Sequence, residues 1–409
     1  MDVPHRFLTA LTAVLLATGL QLFAGPLDAA TRAGPSEVTA TVAAAAGYTA
    51  PGYPAYGMGQ AIVERGEMKI ALHTRLETRI GLMAQEDAQD ARGDLVERPQ
   101  GGSGTAWMPG FEVPRARFGL IGQFADHVPF TIVTDLAASR LTDAWVGYER
   151  FHFAKMYFGA KTVPFARSAI LSSADAALSE RSRAVAAMAP FRQVGVTLAG
   201  DYKLLGIGWQ MGVYNGFDRL PIFHAGMENA SGLHGNRLHG LSYVGRLQSA
   251  PLGDLGPAVH DLKGGDLRVL VGGGGYLNEG GTTKSQGVSA DLHVKFNGAH
   301  VLLEFVRDNA EPSETPTSPN TIPATITRQA MIGEAGYFRG KLGLAVRAEL
   351  IDPNTDKEDN DDELWLSACV GWHFVRNLLR FQLQYDHRHE RAGVAIANDV
   401  LLAKMMLRL

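Results

Sequence analysis

Apolar and polar side chains alternate along most of this chain, from about residue 69 to its last residue. The first long stretch places Ile70, Leu72, Thr74, Leu76, Thr78, Ile80 and Leu82 at one parity, and Lys69, Ala71, His73, Arg75, Glu77 and Arg79 at the other. A period of two indicates a β-strand, because successive side chains of a strand point to opposite faces. Alternation of this length predicts a strand longer than those of most soluble proteins.

The pattern recurs and predicts about sixteen strands. They start near residues 67, 113, 128, 141, 154, 191, 203, 238, 266, 286, 300, 327, 341, 364, 378 and 396. No stretch beyond the N-terminal region approaches the roughly eighteen consecutive apolar residues that a membrane-spanning helix needs. The strands are therefore the elements that the chain offers for crossing a membrane.

The connections between these strands mostly alternate in length. Tight turns are predicted at 125–127, 151–153, 201–202, 297–299, 339–340 and 375–377, and long loops at 87–112, 164–190, 217–236, 309–326 and 352–363. Two connections depart from the alternation, since 137–140 is short and 249–265 is long. Short turns at one rim and long loops at the other predict an all-β, transmembrane antiparallel β-barrel. A soluble β-sandwich or β-helix is the alternative, but it would have shorter strands or regular glycine-rich repeats.

The N-terminal region has the pattern of an export signal. Arg6 precedes an uncharged stretch from Phe7 to Leu27, and small residues follow at Ala29, Ala30 and Ala33. This indicates a signal peptide over residues 1–33, with a transmembrane anchor as the alternative. Residues 34–66 are rich in Ala, Gly, Pro and Tyr without a period and are interpreted as a flexible lead-in, so the barrel is predicted over 67–409.

Composition narrows the function classes. The chain has 38 Lys plus Arg against 42 Asp plus Glu, a formal net charge of -4, which gives no reason to expect nucleic acid as a partner. A single cysteine, Cys369, excludes a disulfide framework within the chain and a cysteine-based zinc site. Arginine supplies 28 of the cations and lysine 10. Arginine is better suited than lysine to binding oxyanions, because its guanidinium can donate two parallel hydrogen bonds.

The segment from Leu141 to Phe217 carries motifs in a characteristic order. They are Leu141-Thr142-Asp143-Ala144-Trp145, Phe158-Gly159-Ala160-Lys161, Val163-Pro164-Phe165, Ser172-Ser173, Glu180-Arg181-Ser182, Gly195-Val196 and Gly212-Val213-Tyr214-Asn215-Gly216-Phe217. In these pieces the chain resembles the phosphate-selective porin O and P family. The resemblance implies a sixteen-stranded, usually trimeric porin whose third loop folds into the lumen, here about 164–190. The chain differs from many family members by ending in Leu409 rather than an aromatic residue.

Cations share one face of the first two predicted strands. Lys69, Arg75 and Arg79 have one parity on the first, and Arg115 and Arg117 share a parity on the second. The face opposite the apolar stripe of a barrel lines the lumen, where arginine and lysine attract anions. With the motif and loop residues, the predicted anion pathway comprises Lys69, Arg75, Arg79, Arg115, Arg117, Lys161, Arg167, Arg181 and Arg183. The alternative is that such cations are ordinary wall residues paired with Asp135, Asp143, Glu149 and Glu304, and that Glu180-Arg181 only attaches the loop to the wall.

These observations predict a passive, anion-preferring porin in the outer membrane of a Gram-negative bacterium, with phosphate selectivity as the narrower expectation. The expected partners are small inorganic anions such as phosphate, outer-membrane lipid and two further copies in a homotrimer. No cofactor, no metal, no nucleic acid and no enzymatic activity are expected. The alternative is a general or plugged barrel with a structural or adhesive role through its long loops.

Overall fold

The computed structural model describes residues 61–85, 106–202, 206–217, 240–280, 283–312, 324–358, 362–375, 377–392 and 398–408. Its strands are β1 (Ala61–Arg65), β2 (Met68–Gln85), β3 (Ala106–Gln123), β4 (Pro129–Asp135), β5 (Arg140–Phe151), β6 (Ala154–Thr162), β7 (Arg192–Tyr202), β8 (Ile207–Asn215), β9 (Leu241–Ser249), β10 (Arg268–Glu279), β11 (Thr283–Phe296), β12 (Ala299–Pro312), β13 (Ile326–Arg339), β14 (Leu342–Asp352), β15 (Glu363–Val375), β16 (Leu379–Glu390) and β17 (Val400–Arg408). Its helices are α1 (Arg167–Ile170), a 3-10 helix (Ser173–Asp175) and α2 (Arg183–Met188).

The described strands β2 to β17 form a closed antiparallel barrel of sixteen. Each pairs with the next in the chain, and β17 pairs back onto β2 from Val400 opposite Met83 to Arg408 opposite Arg75. Closure gives every one of these strands two hydrogen-bonded neighbours, which leaves no open edge. The predicted fold class and strand number are therefore confirmed.

Two strands differ from the sequence interpretation. Residues 61–65, assigned to the flexible lead-in, form β1, which pairs with the start of β2 through a turn at Gly66, where φ is +60°. Strand β3 begins at Ala106, within the predicted loop 87–112, and pairs with β2 as far as Gln85. Pro109, Gly110 and Pro114 interrupt the alternation there, so this half of β3 is recognisable only from its pairing. The predicted signal peptide, the remainder of the lead-in and Leu409 lie outside the described residues.

The two faces of the strands have opposite chemistry. Along β11, Val288 and Phe296 are exposed, whereas His293 and Lys295 are buried. Along β14, Leu344 and Val346 are exposed, while Arg347 and Glu349 are buried. An exposed apolar face and a buried polar face are typical of a barrel whose exterior contacts lipid. Within the described part of the chain, no helix is long and apolar enough to cross a membrane.

The predicted asymmetry of the rims is present. The turns 124–128, 152–153, 297–298 and 340–341 lie at one rim, here called the short-turn rim. Both predicted exceptions also occur, since only 136–139 connects β4 to β5 and residues 250–267 connect β9 to β10. We call residues 250–267, which lie at the short-turn rim, the rim segment.

The connection between β6 and β7, residues 163–191, is here called the β6–β7 segment. It contains α1, the 3-10 helix and α2. Helices this short cannot satisfy their backbone groups internally, so they need caps and partners. Ser182 caps α2 by accepting a hydrogen bond from the amide of Val185. Phe165 and Met188 are buried completely.

Polar side chains from eight strands bind the β6–β7 segment. On β2, β3, β9 and β11 they are Arg75, Arg115, Arg246 and Ser289, and on β12, β14, β16 and β17 they are Glu304, Glu349, Gln384 and Lys404. Glu304, for example, accepts from the Ser168 amide at 2.8 Å, and Glu349 accepts from the Ala184 amide at 3.1 Å. The segment is therefore held by much of the barrel's circumference rather than by its two neighbouring strands.

Candidate anion-binding site

A cavity of about 320 Å³ lies between the β6–β7 segment and the wall formed by β2, β3, β5 and β7. It is lined by Arg79, Pro114, Arg115, Arg117, Arg140, Glu180, Arg181, Arg183, Ala186, Phe191 and Arg192. Seven of these eleven residues are arginines, and Glu180 is the one carboxylate among them. Arginines at this density give the cavity a positive potential that favours anions.

A β-bulge positions the wall arginines. Glu77 pairs with Arg115, but Arg79 pairs with Glu112, so β3 contains one more residue than β2 between these pairs. The extra residue falls beside Pro114, and bulges accept proline because it has no amide hydrogen to contribute to the sheet. The bulge changes the parity of β3, so Arg115 and Glu112 both approach Arg79.

Glu180 binds two wall arginines. The guanidinium of Arg115 donates to both of its carboxylate oxygens, at 3.1 and 2.8 Å, and Arg79 donates to Oε1 at 3.3 Å. Arg115 also donates to Glu77, at 2.7 Å. Burial acts to raise the pKa of Glu180, but the charges of Arg115 and Lys404 outweigh it and lower that pKa to about 2. Glu180 is therefore ionised at neutral pH.

Further carboxylates bind two other arginines of the cavity lining. Arg117 is 3.1 Å from Asp135, and Arg192 is 3.2 Å from Asp143. Arg140 is exposed and forms no ion pair with any described residue. Arg117 therefore follows the alternative interpretation, in which wall cations pair with carboxylates such as Asp135. Arg140 does not follow it and is available to bind an anion.

The two arginines contributed by the β6–β7 segment have different contacts. Arg181 donates to the carbonyl oxygens of Ser168, at 3.1 Å, and Leu171, and its guanidinium lies 5.0 Å from the centre of the Phe191 ring. Burial, followed by the charges of Arg192 and Arg115, holds the pKa of Arg181 well below its ordinary value. Arg183 lies over the ring of Trp365 at 5.1 Å, within the range of a cation–π contact.

Five of the nine predicted pathway residues line this cavity: Arg79, Arg115, Arg117, Arg181 and Arg183. The other four lie elsewhere. Lys69 is half-exposed and 3.2 Å from Glu64, and Arg75 is buried and donates to Glu77 at 2.7 Å and to Ser173 at 3.0 Å.

The ammonium of Lys161 lies over the rings of Tyr157 and Trp145, 3.2 and 4.5 Å from their centres. Arg167 is buried in α1 near Arg246, Asp291 and Glu304, and burial with the charge of Arg246 lowers its pKa to about 10. Neither residue lines the cavity, because Lys161 packs against aromatic rings and Arg167 lies among other charged side chains.

Sequence reasoning missed Arg140 and Arg192. Each is the first residue of its strand, where the alternation that identifies a face has only just begun. Register brings Arg140 to the site, because it pairs with Asp135, which in turn pairs with Arg117. For Arg192, its place directly after the predicted inward loop was the available signal.

Comparison with known proteins agrees with this fold. Residues 86–263 match the model of the family described as phosphate-selective porin O and P. The resemblance to this porin family is therefore confirmed over that part of the chain. The match and the barrel fold place the chain in the outer membrane of a Gram-negative bacterium and support a porin channel. No curated protein matches the chain.

Solved structures of outer-membrane proteins share the barrel. The outer membrane channel DcaP of Acinetobacter baumannii has a TM-score of 0.55 and 12% identity, covering 85% of this chain and 99% of that one. A loop L8 deletion mutant of OmpT, an outer membrane protein of Vibrio cholerae, has a TM-score of 0.51 and 11% identity, covering 84% of this chain and 100% of that one. At such low identity the likeness to these two structures concerns the fold alone.

Proposed function

We propose that the chain forms a passive, anion-preferring channel whose selectivity arises at the arginine-lined cavity. In this proposal the β6–β7 segment is the inward-folded loop that narrows the lumen, and solutes pass between it and the wall of β2, β3, β5 and β7. The observation that carries the proposal is the set of seven arginines around one cavity, with a single carboxylate among the described residues of its lining. Fixed guanidinium groups in a narrow pore lower the energy of a passing anion and raise that of a cation.

Phosphate is the narrower part of the proposal. Arginine presents two parallel N–H donors that match two oxygens of a phosphate group, so several arginines can bind one phosphate at once. The family description names phosphate selectivity, and this chain offers Arg140 and Arg181 without carboxylate partners among the described residues. Transport needs no energy input, no cofactor and no enzymatic step in this mechanism.

The test is an electrical recording of the purified protein in a planar lipid bilayer. In a gradient of KCl, the zero-current potential should have the sign of chloride preference, and added inorganic phosphate should reduce the chloride current by competition. A potential with the sign of potassium preference would overturn the proposed anion preference. Chloride current that phosphate does not reduce would limit the proposal to a general anion channel.

A plugged barrel is the second candidate function, and one observation favours it. Val259 of the rim segment packs with Leu171 and Leu178 of the β6–β7 segment in a buried apolar cluster. If this packing closes the lumen, the same bilayer recording will show no ohmic current. Assembly as a homotrimer is also proposed, from the family resemblance, and light scattering of the detergent-solubilised protein tests it.

A further inference from the structure

The lining of the cavity contains an anion of its own. Both carboxylate oxygens of Glu180 accept hydrogen bonds from Arg115, and Oε1 also accepts one from Arg79. Two parallel N–H donors on two oxygens are the arrangement by which arginine binds a free carboxylate or a phosphate. The Glu180 carboxylate thus occupies the donors that an anion entering the cavity would use first.

Glu180 differs from the other carboxylates around these arginines. Its side chain is 25% accessible and lines the cavity, whereas Glu77, which also binds Arg115, is completely buried and does not line the cavity. Glu112 binds Arg79 and is 49% accessible, but it does not line the cavity. Among the carboxylates of the described residues, Glu180 is therefore the one placed where a permeating anion and a protein carboxylate compete for the same donors.

The backbone around Glu180 is held independently of its carboxylate. Arg347 of β14 donates to the carbonyl oxygens of Glu180, at 3.1 Å, and of Arg181, at 3.2 Å. The amide of the preceding residue, Ser179, donates to Gln384 at 2.6 Å. These contacts remain when the carboxylate is neutralised, so the side chain can be changed without releasing the segment.

We propose that Glu180 is a built-in competitor that weakens the binding of phosphate-like anions at Arg79 and Arg115. The inference rests on the proposed anion channel and adds the residue that sets its affinity. A channel needs a site that attracts its solute but does not retain it. A carboxylate already present in the arginine fork meets this need, because an entering anion must displace it and a leaving anion is replaced by it.

The experiment measures how strongly inorganic phosphate blocks chloride current in single channels. In Glu180→Gln, the concentration of phosphate that halves the current should fall by about 10-fold or more, since hydrogen bonds to charged groups change affinity by roughly that factor. The matched control is Glu112→Gln, which also removes one negative charge that binds Arg79. Its half-blocking concentration should change by less than about twofold, because Glu112 lies outside the cavity.

Equal shifts in Glu180→Gln and Glu112→Gln would overturn the inference, since they would reflect net charge rather than competition at one position. An unchanged Glu180→Gln channel that still prefers anions would also overturn it, while leaving the proposed function intact. A wild-type channel without anion preference would instead remove the proposed function.

A second variant guards against loss of folding. Glu180→Asp keeps the charge but moves the carboxylate about one methylene away from Arg115, so phosphate should block at a concentration between those of the wild type and Glu180→Gln. A purely structural role for Glu180 predicts a lower unfolding temperature in both variants with no gain in phosphate affinity, which would contradict competition.

Discussion

Two regions of the structure contain basic side chains from the polar strand faces, yet they are organised in opposite ways. Around the arginine-lined cavity, permanent charges surround an open space of about 320 Å³. In the second region, four buried histidines pack ring against ring. We call His260, His293, His300 and His373 the histidine cluster.

The histidine cluster is built by the rim segment. His260 lies 5.0 Å from His300 and 6.0 Å from His373, measured between ring centres, and His293 lies 6.4 Å from His300. Gly343 makes room for His260, because a Cβ at that position would be 2.9 Å from its Nε2 atom. The amide of Val259 donates to the carbonyl of Asp175 at 2.8 Å, which joins the rim segment to the β6–β7 segment.

The difference between the regions follows from the chemistry of the two side chains. A guanidinium has a far higher ordinary pKa than an imidazole and needs partners or water when it is enclosed. An imidazole can lose its proton near neutral pH and then packs as an uncharged ring. Alternation assigns arginine and histidine alike to the inner face, but only the arginines require the space there to remain polar and hydrated.

The largest effect is expected when the arginine region loses a buried acid. Glu77 is completely buried and lies 2.7 Å from both Arg75 and Arg115 and 3.8 Å from Lys404. Because Glu77→Gln leaves buried cations without their counter-charge, it should cost about 3–5 kcal/mol of stability. The measurement is the temperature at which an unboiled sample converts to the gel mobility of a boiled one. Glu67→Gln, an exposed change near the rim, is the control, and equal conversion temperatures would contradict the argument.

The next largest effect is a change in ion selectivity that leaves the stability of the fold unchanged. Arg140 is exposed, lines the cavity and forms no ion pair with a described residue, so Arg140→Glu should not disturb the fold. Reversing its charge should reduce the anion-to-cation permeability ratio several-fold in dilute salt and less at about 0.1 M, where charges are screened over roughly 10 Å. Arg150→Glu, at the other end of β5, should leave the zero-current potential unchanged. Equal shifts in the two variants would argue against the cavity as the filter.

The stability of the histidine cluster should depend on pH in a range in which the arginine-lined cavity is unaffected. Burial, then His300 and His373, hold the pKa of His260 well below its ordinary value of 6.5. When a histidine has a lower pKa in the folded state than in the unfolded state, the folded state loses stability as the pH falls below the unfolded pKa. The reason is that the unfolded state binds the proton more tightly. Protonation would add charge beside Lys295 and Arg380, with Asp261 and Glu334 as the nearby acids.

Amide hydrogen exchange measures this response. Protection of the rim segment should decrease between about pH 6.5 and pH 5, with little change at β2 and β3. In His260→Phe the decrease should be smaller, since the ring is retained without a titratable nitrogen. Loss of protection of equal size in the wild type and His260→Phe would show that another group controls the segment.

The smallest effect is expected at Lys69. Its ion pair with Glu64 spans 3.2 Å between side chains that are 44% and 62% accessible. Exposed pairs of this kind contribute about 0–1 kcal/mol. Lys69→Gln should therefore leave both the conversion temperature and the zero-current potential within error of the wild type, in contrast to Arg140→Glu. A clear loss of anion preference in Lys69→Gln would extend the filter beyond the cavity.

The sequence by itself determined the architecture of this protein. Because a strand has a side-chain period of two, the alternation revealed the strands, their apolar and polar faces and their number. Loop lengths distinguished the two rims and marked the rim segment as unusual before its contacts were known. Local backbone geometry governs these properties, so they can be recognised from neighbouring residues alone.

Only the tertiary structure decided which polar side chains meet. Lys69, Arg75, Arg79, Arg115 and Arg117 share the inner face, but a bulge at Pro114 and the strand register bring three of them to the cavity. Glu180 reaches Arg115 from 65 positions along the chain, and Val259 reaches Asp175 only because the rim segment turns inward. Such contacts depend on barrel closure and on two connecting segments that have no repeating pattern. They therefore cannot be predicted from the sequence of a single strand.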